Sequence, residues 1–114
     1  MASDILVKSE LRGSLGIISL SGDISGGTEE ALRKAYETLG KGGATKILFR
    51  FAQGCYINSA GIAIIILIVS ESKKSRQKVG ATGLSAHFQK IFEMIGLTDY
   101  IQVFQTEEEA LKKL

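Results

Sequence analysis

Ten consecutive residues, Ala60 to Val69 (AGIAIIILIV), are glycine or apolar, in a chain that contains no proline. A membrane span needs about 20 such residues, so this run is only half long enough to cross a bilayer. Read as a helix at about 100° per residue, it places Ile62, Ile65, Ile66 and Val69 on one face and Ala63, Ile64, Leu67 and Ile68 around the rest, apolar on every side. A small domain cannot easily bury every side of a helix. Another helix of the fold, with the following one the simplest candidate, has to cover part of it, and any excess becomes a protein-contact patch. With 114 residues the chain is long enough for one modest core and too short for two, so residues 1–114 are read as a single domain.

The flanking segments supply the remaining layers. DILVKSE, the turn Gly13-Ser14 and LGIISLSG read as an antiparallel hairpin. Thr28 then serves as the N-cap of a helix carrying Glu29 and Glu30 at its positive end and Leu32, Ala35, Tyr36 and Leu39 at helical spacing, with Gly40 ending it. GKGGATK is a loop, and KILFRF is a strand in which Ile47, Phe49 and Phe51 alternate with Leu48 and Arg50. From Ser59 the second helix runs to about Gln77, followed by the strand VGAT from Val79. Ser85 caps a helix to about Ile95 that Gly96 closes in a left-handed conformation, YIQVF is the last strand, and Thr106 with Glu109 forms a capping box for a terminal helix. The order β-β-α-β-α-β-α-β-α predicts an α/β fold: a mixed sheet of four or five strands, mainly parallel, with the initial hairpin at its edge and about four helices. Loops at the same ends of parallel strands gather on one edge, which predicts that the Ser25 loop lies close to Ser59.

Composition excludes several function classes. Fourteen Lys and Arg against twelve Asp and Glu leave a net charge of +2, and the one basic cluster, Lys73 to Lys78, has no aromatic platform beside it, so it reads as a solvated helix end rather than a nucleic-acid site. The single cysteine, Cys55, cannot form an internal disulfide, and no signal-peptide pattern opens the chain; together these predict a cytoplasmic protein. One His and one Cys provide no paired ligand spacing, so no metal is expected. GKGGATK lacks the phosphate-loop pattern and precedes a strand, whereas a phosphate loop precedes a helix. The third strand ends in Arg50-Phe51-Ala52-Gln53, with no carboxylate of the kind a phosphoacceptor receiver needs. No cofactor and no enzymatic activity are expected.

Ser59, in Ile57-Asn58-Ser59-Ala60-Gly61, sits at a strand-to-helix junction. It fits only the second half of a hydrolase nucleophile elbow, because Ile57 stands where the first glycine belongs, His87 is the only histidine and Glu71 is the only acid between them. Two readings remain: an N-cap that is purely structural, or a modification site. The free N–H groups at a helix N-terminus tolerate a phosphate, while the same charge beside an apolar contact patch would be costly to desolvate and would repel an acidic partner. The position suits a switch.

The chain resembles the STAS domain family, shared by sulfate transporters and bacterial anti-sigma factor antagonists, and in particular its free-standing antagonist form. The resemblance runs through ISLSGDIS, KILFRFAQGCYINSAGI and IFEMIGLTDYIQVFQTEEEAL and covers nearly the whole length. It implies an antagonist that binds a serine-kinase anti-sigma factor, with Ser59 phosphorylated by that kinase and restored by a phosphatase. It also implies a docking surface made of Gly22, Asp23, Ile24 and Ser25 together with Asn58, Ser59, Ala60, Gly61 and Ile62. The family usually carries acids where Ser25, Arg50 and Asn58 stand, and Asp-Ser-Ser-Gly where this chain has Asn58-Ser59-Ala60-Gly61. A second reading is a non-switching interaction module in a larger signalling scaffold or a transport-associated complex. Either way no membrane span and no nucleic acid are implied, and the oligomeric state is left open.

Overall fold

The structure is a computed structural model that describes residues 6–114. Its elements are β1 (Leu6–Arg12), β2 (Leu15–Ser21), β3 (Asp23–Ile24), α1 (Glu29–Lys41), β4 (Lys46–Phe51), β5 (Tyr56–Ile57), α2 (Ser59–Lys74), β6 (Lys78–Thr82), α3 (Ala86–Met94), β7 (Ile101–Phe104) and α4 (Glu107–Lys113). Short 3-10 turns at Gly26–Thr28 and Leu97–Asp99 precede α1 and β7. Asp4 and Ile5, expected at the start of the first strand, lie outside the described residues.

Five strands form one sheet in the order β1-β2-β4-β6-β7, antiparallel between β1 and β2 and parallel elsewhere. This is the expected mixed sheet with a hairpin at its edge. The sequence reading missed the two-residue strands β3 and β5, which pair in parallel as a separate ladder above the sheet's C-terminal end.

Strand alternation divides the core into two. Ile18, Leu20, Ile47, Phe49, Phe51, Val79 and Ala81 face α1, α2 and α3, while Ile17, Leu48 and Phe104 face Ala110 and Leu114 at the terminal helix. Ser85 caps α3 through a bond from the Phe88 N–H, and Gly96 takes the expected left-handed conformation after it. At α4, the Thr106 hydroxyl accepts from the Glu109 N–H as expected, but the Glu109 carboxylate reaches one residue further back and accepts from Gln105.

Four local expectations are corrected. Thr28 stands at the N-cap position of α1 as expected, but its backbone angles are helical and its hydroxyl accepts from the Ser25 N–H, so its side chain makes no capping bond to the helix. α1 runs through Gly40 to Lys41, with Gly42 as its C-cap. α2 stops at Lys74 rather than near Gln77, because Arg76 turns left-handed at φ 57° and breaks the helical path. The N-cap of α2 is Asn58 and not Ser59, because Asn58 holds an extended backbone while its side chain accepts from the Gly61 N–H.

Candidate functional site

The junction before α2 is built by the β3–β5 ladder. The Tyr56 N–H donates to the Gly22 carbonyl at 3.3 Å and the Asn58 N–H to the Ile24 carbonyl at 3.0 Å, so the Gly22–Ser25 loop and the start of α2 are tied by backbone. Gly61 makes this approach possible: a Cβ there would stand 2.3 Å from the Ile24 carbonyl oxygen. Across the same seam, a Cβ on Gly26 would lie 3.6 Å from the Ala60 Cβ. Ser25 and Ser59 therefore share one edge of the molecule.

The nine residues singled out from sequence are brought together but do different work. Ser59, Asn58, Ala60 and Asp23 are exposed, Gly22, Ser25 and Ile62 are half-buried, and Ile24 and Gly61 are buried. The last two hold the edge together from within and cannot themselves face a partner. Ser59 is the first residue of α2, one position inside the cap. Asn58 occupies two of the first-turn groups, its Oδ1 accepting from the Gly61 N–H and its carbonyl from the Ile62 N–H, both at 2.9 Å. The N–H groups of Ser59 and Ala60 find no acceptor among the described residues, so two free donors and the positive end of the helix dipole belong to the same first turn as the Ser59 hydroxyl.

Arg50 does not belong to this edge. Its position on β4 turns it to the α4 face, where it donates to the Ser19 hydroxyl at 2.9 Å and to the Glu107 carboxylate at 2.8 Å. Of the three neutral or basic replacements noted in the sequence, only Ser25 and Asn58 stand beside Ser59.

α2 buries Gly61, Ile64, Ile65, Ile68, Val69 and Ser72 and leaves the opposite side open. α1, rather than the following helix, is the helix packed on it. Ile66 is 39% and Leu67 52% exposed, and with Ala60 and Ala63 they form an apolar stripe running from the Ser59 turn along the helix. Where the stripe meets α1, Leu67, Ile64 and Ile68 floor a shallow groove of about 80 Å³ rimmed by Glu29, Arg33 and Glu71. Sequence reasoning did not single out Tyr56, which is 56% exposed on β5 and rests edge-on against Phe88 beside the same loop. Only its place two residues before the cap could have drawn attention to it. Behind the ladder, burial and then the carboxylate of Asp23 push the half-buried Cys55 thiol above its ordinary pKa, so it is held protonated near neutrality.

The arrangement presents an exposed hydroxyl, a dipole end that accepts negative charge, and an apolar stripe next to it. His87, the chain's only histidine, is exposed on α3. Among the described residues no group of His, Cys, Asp and Glu could hold a metal ion, and no helix is long and apolar enough to cross a membrane.

The family model described as the STAS domain matches residues 7–110. Among solved structures, an anti-sigma factor antagonist from Mycobacterium paratuberculosis is similar with a TM-score of 0.78 and 18% identity, over 96% of this chain and 92% of that one. The Bacillus cell fate determinant SpoIIAA in its phosphorylated form gives a TM-score of 0.74 and 22% identity, over 95% of this chain and 98% of that one. The unphosphorylated form of the anti-sigma factor antagonist SpoIIAA gives 0.72 and 17%, over 96% of each chain. At these identities the likeness is one of fold.

Proposed function

The chain belongs to the STAS domain family, and on that premise we propose that it is a cytoplasmic anti-sigma factor antagonist, switched by a phosphate on Ser59. The observation that carries this reading is the position of the Ser59 hydroxyl: exposed, in the first turn of α2, and at the head of the Ala60, Ala63, Ile66 and Leu67 stripe. Unmodified, the edge formed by Asp23, Ser25, Asn58 and the stripe docks on a serine-kinase anti-sigma factor. Phosphate brings a charge of about −1.5 to −2 to the helix N-terminus, where the free N–H groups of Ser59 and Ala60 accommodate it without unfolding the helix. The same charge has to be desolvated against an apolar interface, so the docked state loses and the fold does not. The protein is the kinase's substrate and not itself an enzyme: ATP belongs to the partner, and a phosphatase resets the hydroxyl. The likeness to an antagonist solved in phosphorylated and unphosphorylated forms supports this cycle.

The second reading, a non-switching interaction module in a signalling scaffold or transport-associated complex, draws on the neutral side chains at Ser25 and Asn58, which leave the hydroxyl without the flanking acids usual in the family. Radiolabelled phosphate transfer separates the two. With a purified serine-kinase anti-sigma factor that binds this chain and labelled ATP, the protein takes up label and Ser59→Ala does not; Ser59→Glu stays folded and loses kinase affinity. If Ser59→Glu binds as tightly as the unaltered protein and no label appears on Ser59, the switch reading is wrong and the module reading stands.

A further inference from the structure

β1 bounds the sheet: β2 pairs with one side of it, and among the described residues no strand pairs with the other. Of the usual guards the edge carries charged side chains but neither a proline nor a bulge. The chain has no proline, and the β1–β2 register is continuous from Leu6 to Arg12 with no bulge. Lys8, Glu10 and Arg12 are exposed on the sheet face away from α1.

The hairpin fixes which backbone groups point outwards. Gly13 at φ +61° and Ser14 make a two-residue turn closed by Arg12 and Leu15. A closing pair of this kind is hydrogen-bonded, and the alternation that follows commits Arg12, Glu10, Lys8 and Leu6 to β2. The N–H and C=O groups of Val7, Ser9 and Leu11 are left facing outwards.

We propose that this edge pairs with the same edge of a second copy, antiparallel about a two-fold axis at Ser9, joining two sheets into one. Only registers that set odd-numbered residues against odd-numbered ones satisfy the outward groups. Centred on Ser9, Val7 pairs with Leu11 of the second copy, and Lys8 stands opposite Glu10 in the closer, non-hydrogen-bonded positions. A slip of the register in one direction sets Lys8 against Lys8, and in the other it sets Glu10 against Glu10. Among the three registers with the longest overlap of β1, charge therefore selects one. Lys8 has no acidic partner among the described residues, while the exposed Glu10 carboxylate bonds Arg12 through one oxygen and lies at the outer limit of an ion pair, 4.0 Å, from Arg50 through the other, an oxygen that Lys8 of the second copy would share. The pairing also covers Leu11 and Leu6, which are 42% and 51% exposed in the single chain. One short strand edge buries far less than the ~1,200–2,000 Å² of a stable interface, so the dimer is weak and concentration-dependent. It leaves the Ser59 edge open, and its test does not depend on the kinase reading.

Sedimentation of the full chain from about 10 µM to about 1 mM tests it across the range where weak pairs form. The weight-average mass rises from one chain towards two with concentration; Lys8→Glu and Glu10→Lys each remain monomeric throughout, and the double variant carrying both changes dimerises again. Circular dichroism confirms that each variant folds. A monomer at every concentration overturns the proposal, as do single variants that dimerise like the parent, which would place the contact elsewhere. Failure of the double variant to recover also overturns it, since the exchange keeps opposite charges facing each other at positions 8 and 10 across the seam.

Discussion

At its C-terminal end α2 is locked by hydrogen bonds, while at its N-terminal end it holds donors in reserve. Beyond Lys74, the Gln77 N–H donates to the Ser72 carbonyl at 2.8 Å and the Arg76 N–H to the Lys73 carbonyl at 3.1 Å, the paired bonds of a Schellman closure. The buried Ser72 hydroxyl donates to the Tyr36 hydroxyl, which donates to the Gln77 side chain at 2.6 Å, and the Gln77 amide donates to the Ala44 carbonyl at 2.8 Å. That network joins α1, α2 and the turn before β4. At the other end, Asn58 satisfies one N–H with its side chain, while Ser59 and Ala60 find no acceptor for theirs among the described residues. A helix anchored firmly at one end can carry a new charge at the other without being dislodged, which is the mechanical requirement for a switch at Ser59.

The largest expected effect comes from closing the open end. Gly61→Ala drives a Cβ to 2.3 Å from the Ile24 carbonyl oxygen, and neither backbone can give way without separating β3 from β5. Overpacking of this kind costs about 3 kcal/mol at the upper end of its range. Chemical denaturation should show that loss, and amide chemical shifts should move at Gly22–Ser25 and Asn58–Ile62 together. A variant as stable as the parent would mean that the seam is looser than described.

Next in size is the locked end. Gln77→Leu leaves the Ala44 carbonyl without its partner and takes away the acceptor to which the Tyr36 hydroxyl donates, leaving that hydroxyl only its bond with Ser72, at a cost of about 2 kcal/mol for the partly buried groups. The loss should appear in denaturation while partner binding at the Ser59 edge is unchanged. Weakened binding without loss of stability would contradict the separation of the two ends.

A smaller contrast lies within the cap itself. Asn58→Ala removes the bond to the Gly61 N–H and should cost about 1 kcal/mol, whereas Ser59→Ala, one position inside the cap, should stay within about 0.5 kcal/mol of the parent. Melting curves of the two variants decide it. The reverse order would return the cap to Ser59 and strip the hydroxyl of its freedom to be modified.

That contrast also shows where the sequence was readable. The β/α order, the caps at Ser85 and Thr106 and the left-handed Gly96 follow from local rules, and the structure repeats them. Asn58 and Ser59 are adjacent, both good N-caps, and local preference cannot rank them. The bond from the Asn58 N–H to the Ile24 carbonyl accompanies the extended backbone of a cap, and its partner is more than thirty residues away. The same limit hid the β3–β5 ladder, since two-residue strands carry no periodicity. It also hid which face of α2 is exposed: a run apolar on every side has no sequence signal for the side that α1 and the sheet will cover, and Ile66 and Leu67 became the outer stripe because of where those layers lie. Arg50 was legible as an alternating strand residue, and extending the alternation from Leu48 would have placed it on the α4 face, away from Ser59.

The smallest effect concerns Arg76, and it runs towards greater stability. The residue sits at the position after a helix C-cap where glycine is usual, and at φ 57° its Cβ crowds the backbone, a strain of roughly 1–2 kcal/mol for a residue with a side chain. Arg76→Gly relieves that strain but gives the unfolded chain about 0.4–1 kcal/mol of added freedom. The difference should be a net gain of a few tenths of a kcal/mol up to about 1, seen as a rise of at most a few degrees in Tm. Arg76→Ala serves as the control, because it removes the guanidinium and keeps the strain, so it should melt close to the parent. If the glycine variant melts no higher than the alanine variant, the closure of α2 owes nothing to backbone relief at this position, and the locked end rests on the Ser72, Tyr36 and Gln77 network alone.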